Sequence, residues 1–525
     1  MKSLFPLGLV FLLLLSCNGP SKKGGEQIFE PPVTNLSGAQ LAKLHCATCH
    51  SYVPPAMLSK SIWEEDVLPA MGNRLGIHNG TRQPDSIFGS ARNAAIVKKA
   101  HIFPEQPLLA KTDWLKIIDY YHDNAPDSIA APKKNTAIKM GLEHFTYKEA
   151  SFNHRPPLTS MVKILGDNRG LVFSDGKRNN NVLTFLSAQL EMEKNLLFKN
   201  TPIHYYEKSD TVYLTTIGKN IFPHDTPDGA LQKIIVKSET QNKMTVMPVL
   251  SNLQRPVSMA YGDLNNDGKE DIIACEYGDL TGKLVWFENQ GSDKYKPHSL
   301  LNMPGAISAT IKDHNKDGLN DIFVLMAQGD EGIYYFENTG NSSFTSKRLL
   351  TFSPLNGSQY FELADFNGDG FDDIIYVCGD NADKTPILKD YHGIYVFLND
   401  GSLNFDQAYF YQLNGAYKAI PRDFDLDGDL DIAAISFFPD YTHYPEQSFI
   451  YLENKGNLVF EDYSFPESTK GRWIVMDAGD MDDDGDIDLA LGSFVYFLAQ
   501  GDTTGLSKKW LTDSPSVIVL ENTIK

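Results

Sequence analysis

The sequence predicts a multidomain chain, a small all-α domain followed by an all-β propeller of about seven blades. Three observations predict it. A segment of the form Asp-x-Asn/Asp-x-Asp-Gly recurs five times, at intervals of 50, 52, 58 and 57 residues. Each copy runs on into a β-rich stretch, such as Asp271-Ile272-Ile273 or Asp373-Ile374-Ile375. Residues 34–125, by contrast, carry helix-start signals and helical spacing of apolar residues. At 525 residues the chain also exceeds what one ordinary core supports.

The repeats begin at Asp263, Asp313, Asp365, Asp423 and Asp480. A second echo closes the units: Val285-Trp286-Phe287-Glu288-Asn289, Tyr334-Tyr335-Phe336-Glu337-Asn338, Tyr395-Val396-Phe397-Leu398-Asn399 and Ile450-Tyr451-Leu452-Glu453-Asn454. A period in the fifties with several strands per unit predicts one propeller blade per repeat. Residues 155–250 have similar strand density without the Asp motif and leave room for about two more blades. Closing such a ring leaves no long sheet edge open.

In each loop, oxygens at positions 1, 3, 5 and 9 can converge on one centre, and the Gly permits the sharp turn. The candidate metal ligands are Asp263, Asn265, Asp267 and Asp271; Asp313, Asn315, Asp317 and Asp321; Asp365, Asn367, Asp369 and Asp373; Asp423, Asp425, Asp427 and Asp431; and Asp480, Asp482, Asp484 and Asp488. Clustered carboxylates repel unless a hard cation joins them, and Ca²⁺ tolerates irregular oxygen geometry better than Mg²⁺. An EF-hand needs Glu at position 12, where this chain has Ala274, Val324, Tyr376, Ala434 and Leu491. A single loop would equally suit a metal-free β-turn; five in register favour about five Ca²⁺ with a structural role. These loops resemble the FG-GAP/VCBS repeats of integrin α-chains and bacterial surface proteins, well over 251–525 and weakly over 155–250. That resemblance implies a calcium-bound propeller.

The N-terminus reads as an export signal. Lys2 precedes the apolar run Leu4 to Leu15, which is too short to span a bilayer as a helix. Leu14-Leu15-Ser16-Cys17 resembles a bacterial lipobox, which implies a signal peptide over 1–17 and lipidation of Cys17. The alternative is a plain signal peptide with an incidental cysteine. Residues 18–33 read as a flexible tether and 126–154 as a linker. The expected setting is therefore outside the cytoplasm, lipid-anchored to a bacterial membrane, the outer membrane by preference. A formal charge of -20 argues against nucleic acid as a partner and against a basic membrane-surface domain.

Of the five cysteines, Cys275 and Cys378 lie in apolar runs of non-adjacent repeats and read as buried free thiols. Cys46-Ala47-Thr48-Cys49-His50 is the Cys-x-x-Cys-His attachment pattern for c-type haem. Two thiols three apart on one helical turn reach two vinyl groups, and the adjacent His lies under the iron. A thioredoxin-like redox pair would call for a preceding βαβ pattern, and a zinc site for two further ligands. Ser37 is the expected N-cap of the helix leading into the motif, and Thr112 the cap of a later helix with Trp114, Ile117, Ile118 and Tyr121 on one face. Together these resemble class I cytochromes c over 34–125, which implies one covalent haem on Cys46 and Cys49 with His50 as proximal ligand. Met71 is the first choice for the distal ligand; Met57, His78, His101 and no protein ligand stay open. Residues 78–111 depart from a minimal cytochrome as an insertion.

The leading expectation is electron transfer, with the propeller docking a redox partner protein or respiratory complex. A propeller oxidoreductase of sugar or alcohol dehydrogenase type, with the haem as acceptor, is the second. A surface adhesion or glycan-binding module is the third. No catalytic constellation stands out, and Asp167, Arg169 and Trp473 are most simply structural.

Overall fold

The computed structural model describes residues 30–78, 84, 88–132, 137–177, 180–219, 221–237, 243–380, 387–496 and 502–524. The expected signal peptide and Cys17 lie outside the described residues. Strands dominate, arranged as seven sheets that form a seven-bladed propeller. Blade one is β3 (Thr159–Ile164), β4 (Leu171–Lys177), β5 (Asn180–Leu186) and β6 (Met192–Phe198). Blade two is β7 (Pro202–Lys208), β8 (Thr211–Thr216), β9 (Gly229–Lys237) and β10 (Lys243–Leu253). Blade three runs from β11 (Pro256–Gly262) and β12 (Asp271–Glu276) through β13 (Lys283–Gly291) to β14 (Lys294–Leu301). Blade four comprises β15 (Ala306–Lys312), β16 (Asp321–Met326), β17 (Gly332–Asn338) and β18 (Phe344–Thr351). Blade five comprises β19 (Ser358–Ala364), β20 (Asp373–Cys378), β21 (Gly393–Asn399) and β22 (Phe405–Gln412). Blade six holds β23 (Ala416–Arg422), β24 (Asp431–Ser436), β25 (Phe449–Asn454) and β26 (Phe460–Ser464). Every blade is antiparallel, and the two blades expected without the Asp motif occupy 159–253.

Blade seven corrects the expected domain boundary. Its inner strands are β27 (Trp473–Gly479), β28 (Asp488–Ser493) and β29 (Val517–Asn522), and its outer strand is β2 (Phe145–Glu149). β2 pairs antiparallel with β29, from Phe145 opposite Asn522 to Glu149 opposite Ile518. Just upstream, β1 (Lys139–Met140) joins β26 in parallel at the edge of blade six. Residues 139–149 are thus part of the propeller, not a linker. The polar, Pro-containing start of this segment hid a five-residue strand whose partner lies at the far end of the chain.

The second strand of each motif-bearing blade reads as a continuous apolar run because both of its faces are covered. Apolar clusters sit between consecutive blades. Ile432 and Ala434 of blade six meet Ile375 and Val377 of blade five; Leu171 and Phe173 of blade one meet Val517 and Val519 of blade seven. That last cluster closes the ring. Cys275 and Cys378 are buried free thiols in blades three and five.

The helices precede the propeller. They are α1 (Gly38–Cys46), α2 (Lys60–Ile62), one π-helical stretch (Trp63–Val67), α3 (Leu68–Arg74), α4 (Ala91–Lys99) and α5 (Lys111–Asn124). Within the propeller lie α6 (Leu506–Asp513) and two short 3₁₀ turns, Pro445–Ser448 and Ser468–Lys470. Ser37 caps α1 as expected, in a capping box with Gln40. Thr112 does not cap α5: that helix starts two residues earlier than such a cap would set it, with Ala110 at the N-cap. No side chain caps the helix; Asp113 in its first turn accepts the Thr34 amide at 2.8 Å and the Lys116 ammonium at 2.7 Å. Trp114, Ile117 and Tyr121 are buried against Leu41, Trp63 and Leu68, with Ile118 packed at the edge. The crossing of α1 and α5 is close at Gly38, where a Cβ would lie 2.1 Å from the Lys116 carbonyl oxygen. No helix among the described residues is long and apolar enough to cross a membrane.

Candidate functional site

Cys46 ends α1, and the turn after it carries Cys49 and His50. Both cysteines are free thiols. Cys46 is half-buried on the helical core beside Tyr121, and burial pushes its thiol up to about 11. A catalytic redox pair requires the opposite, a stabilised thiolate. Cys49 is exposed, with its sulfur 3.7 Å from the Thr48 hydroxyl. His50 Nδ1 lies 2.8 Å from the Ser51 carbonyl oxygen. Donating Nδ1–H there leaves the Nε2 lone pair for a metal. Met57 and Met71 both pack on the core that Cys46 borders. His78 instead engages the buried amide of Asn73 through Nδ1, at 3.0 Å. His101 is exposed in a turn with φ 52°. Two free thiols and an imidazole with Nε2 left open, beside an apolar core that also carries Met57 and Met71, fit a covalently attached haem.

This helical segment rests on one end of the propeller. The Ser51 hydroxyl donates to the Phe352 carbonyl at 3.2 Å, while Leu355 and Ile387 join the helical core. Arg92 pairs with Asp228 at 2.7 Å, and the Asn93 side chain accepts the Asp225 amide at 2.6 Å. All these propeller residues lie in connections between second and third strands or between blades. The Asp loops join first to second strands, and in an antiparallel blade those connections lie at the other end. The Cys-x-x-Cys-His motif and the Asp loops therefore occupy opposite faces.

Each loop is wound by residues in the left-handed region at position 4 (Asn266, Lys316, Gly368, Leu426 and Asp483) and by Gly at position 6. In four of the five loops the residue at position 2 plugs a gap to the next blade: Leu264, Phe366, Phe424 and Met481 are all buried in inter-blade clusters. In blade three, Asp263 accepts the amides of Asp267 and Gly268, at 3.2 and 2.7 Å. The ninth position follows its own rule. Asp271, Asp321, Asp373, Asp431 and Asp488 are fully buried. One oxygen of each accepts the position 2 amide. The other accepts the amide of the Asn at or near the end of the third strand: Asn289, Asn338, Asn399, Asn454 or Asn522. That Asn returns a side-chain bond to the carbonyl of position 8 in the loop. The closing echo is thus half of an Asp–Asn clasp, and Leu520-Glu521-Asn522 is a fifth copy that sequence reasoning passed over.

The loops are not equivalent. Asp423, Asp425 and Asp427 bring carboxylate oxygens within 4.8 Å of one another, as do Asp480, Asp482 and Asp488. The same two loops carry buried oxygens with no partner among the described residues, on Asp423, Asp429, Asp482 and Asp486. Asp429 and Asp486 stand at position 7, which the expected ligand set left out; an acidic residue there in two copies only was the available signal. Burial pushes Asp431 and Asp486 up to about 7 and Asp488 to about 6. A divalent cation would draw all three back down. In the first loop position 7 is Lys269, whose ammonium lies 2.7 Å from Asp267. The donor set thus fits a hard cation best in blades six and seven.

Arg169 bridges Glu207 at 3.0 Å, and the Trp473 indole donates to the Ser468 carbonyl at 2.7 Å from full burial. These contacts fit the structural reading of both residues.

The model of the FG-GAP-like repeat matches residues 263–324 and 313–376. No curated protein matches the chain. Among solved structures, the chain is similar to the N-terminal domain of Nup159, at 11% identity and a TM-score of 0.41, over 74% of this chain and 99% of that one. It is also similar to a chain from a complex of an S. cerevisiae Dbp5 variant bound to Nup159, a Gle1 variant, IP6 and ADP. There the identity is 10% and the TM-score 0.41, over 73% of this chain and 96% of that one. This chain carries FG-GAP-like repeats on a seven-bladed β-propeller.

Proposed function

We propose that the protein is a membrane-tethered c-type cytochrome outside the cytoplasm that transfers electrons, with its propeller as the docking module for a redox partner. The observation that carries this reading is the Cys46/Cys49/His50 turn at the end of α1, with both thiols free and His50 Nδ1 tied to Ser51. Cys46 and Cys49 would hold the haem covalently, His50 would ligate through Nε2, and Met71 is assigned the distal position. Bound there, the haem supplies a one-electron couple. The chain's own part is to hold the imidazole, keep water from one side through the Leu41, Trp63 and Tyr121 core, and fix the motif to the propeller through Ser51 and Phe352. Calcium in the Asp loops would brace the opposite face. A lipid on Cys17 would tether the whole to a membrane, by preference the outer one.

The test is a visible spectrum and redox titration of protein matured in an exporting host, with Met71→Ala beside it. Expected is a c-type α-band in both, with a lower reduction potential in the variant because thioether ligation raises it. Loss of the α-band in the wild type would overturn the cytochrome reading. An unchanged potential would remove Met71 from the distal position.

A further inference from the structure

A channel of about 620 Å³ runs along the propeller axis, lined by the innermost strand of every blade. Its charge differs from that of the chain as a whole. Lys163, Lys418 and Arg255 line it against Asp380 and Asp477, in a protein whose net charge is -20. The Lys418 ammonium donates to the Met476 carbonyl at 2.8 Å and lies over the Tyr360 ring, without an ion pair among the described residues. The carboxylates near enough to influence it are engaged elsewhere. Asp477 accepts from the Lys163 ammonium at 2.9 Å and from the Ile164 amide at 2.8 Å. Glu362 accepts from Arg422 and from the Tyr360 hydroxyl, both at 2.6 Å.

Arg255 stands at the end of the channel that faces the helical segment, over the Tyr277 ring. Among the described residues its terminal nitrogens reach only the carbonyls of Gly278 and Ile221, at 3.2 and 3.4 Å, and its buried Nε has no partner. It holds a left-handed backbone, φ 44°, unusual for a long side chain. Burial lowers the pKa of both Lys418 and Arg255. Two cations drawn partly out of water without a bound carboxylate are costly unless an anion completes them.

We propose that the central channel binds a small organic carboxylate with an apolar or aromatic body, anchored by the Lys418 ammonium, with Arg255 supplying positive charge at the helix-facing end. Tyr277, Tyr360, Tyr417 and Phe437 offer ring faces and edges for the body of such a ligand. The volume falls in the range of small-molecule sites. Phosphate fits less well, because it calls for several donors converging on one point, whereas Lys163 is already paired with Asp477 and the Arg255 nitrogens are turned to the Gly278 and Ile221 carbonyls. The inference does not depend on haem at residues 46–50.

The test is calorimetric titration of the full-length protein with benzoate, phenylacetate and inorganic phosphate, beside Lys418→Met and Arg255→Met checked for folding by circular dichroism. Expected is saturable one-to-one binding of at least one aromatic carboxylate, weakened at least tenfold in Lys418→Met and several-fold in Arg255→Met. Should Lys418→Met fail to fold, Arg255→Met carries the same comparison. Binding of neither carboxylate, equal binding by the folded variants, or tighter binding of phosphate would each overturn the proposal.

Discussion

At the scale of single residues, the ninth aspartate of each loop does a job separable from metal binding. Asp373 takes the Phe366 and Asn399 amides on its two oxygens, both at 2.8 Å, from full burial. Its removal leaves two buried donors unpaired, at roughly 3 kcal/mol in all. Asp373→Ala is therefore expected to lower the urea midpoint in EDTA as well as in calcium. A purely ligating aspartate would show the loss in calcium alone. Glu331 provides a pH effect. Buried, with the Ser358 amide and hydroxyl donating to it, it has its carboxyl pushed up to about 7, chiefly by desolvation. Below its ordinary value of 4.5 the group is protonated whether the chain is folded or not. Between there and about 7 the unfolded chain releases the proton and the folded chain keeps it, so stability falls as pH rises and then levels off. The span is worth roughly 3 kcal/mol. Denaturant titrations across pH 4–8 are expected to show this fall in the wild type, and a shallower one in Glu331→Gln.

At the scale of elements, the five loops share one wind but differ in what they offer a cation. Blades six and seven place a seventh-position carboxylate in loops that already hold unpartnered oxygens. Blade three places an ammonium there instead. Affinity in oxygen sites follows the count of ligand charges. Calcium titration is expected to resolve two tight sites ahead of weaker ones. Asp429→Asn and Asp486→Asn should each weaken one tight site about tenfold or more, and Lys269→Ala should strengthen a weak one. Five sites of equal affinity would contradict this ranking. The helices obey a different constraint. Gly38 lets α1 approach the backbone of α5, and so sets where the Cys46 end of α1 meets the Trp63 and Tyr121 core.

At the scale of the whole molecule, the ring is held by the pairing of residues more than 350 positions apart. β2 supplies the outer strand of blade seven, and Phe145 and Tyr147 pack beside Phe424, Tyr451 and Phe465. A propeller beginning at residue 155 loses that strand and exposes the edge of β29, which invites pairing with another chain. Compared with one beginning at residue 137, it is expected to melt at lower temperature and to self-associate. The loss should be roughly 2–3 kcal/mol from the two half-buried aromatic side chains alone. Calorimetry and size-exclusion chromatography read the two effects, and identical behaviour would show that the inter-blade clusters suffice.

The sequence by itself determined the features that repeat or that sit within one turn of chain. The blade period, the left-handed Gly of each loop, the Ser37 cap and the Cys46–His50 spacing are local, so neighbouring residues carry their whole signal. Thr112 shows the limit of that signal: a plausible capping hydroxyl goes unused, and the first turn is tied instead by the bond from the distant Thr34 amide to Asp113, which no helix pattern contains. Tertiary structure alone decided the rest. The closing strand, the Asp–Asn clasps, the opposition of the two faces and the basic residues brought together in the channel all depend on contacts between segments far apart in sequence. Such contacts leave no periodic trace, because each partner looks ordinary where it stands. Lys418 is one polar residue on a strand until seven blades close around it and leave it, among the described residues, without an ion pair.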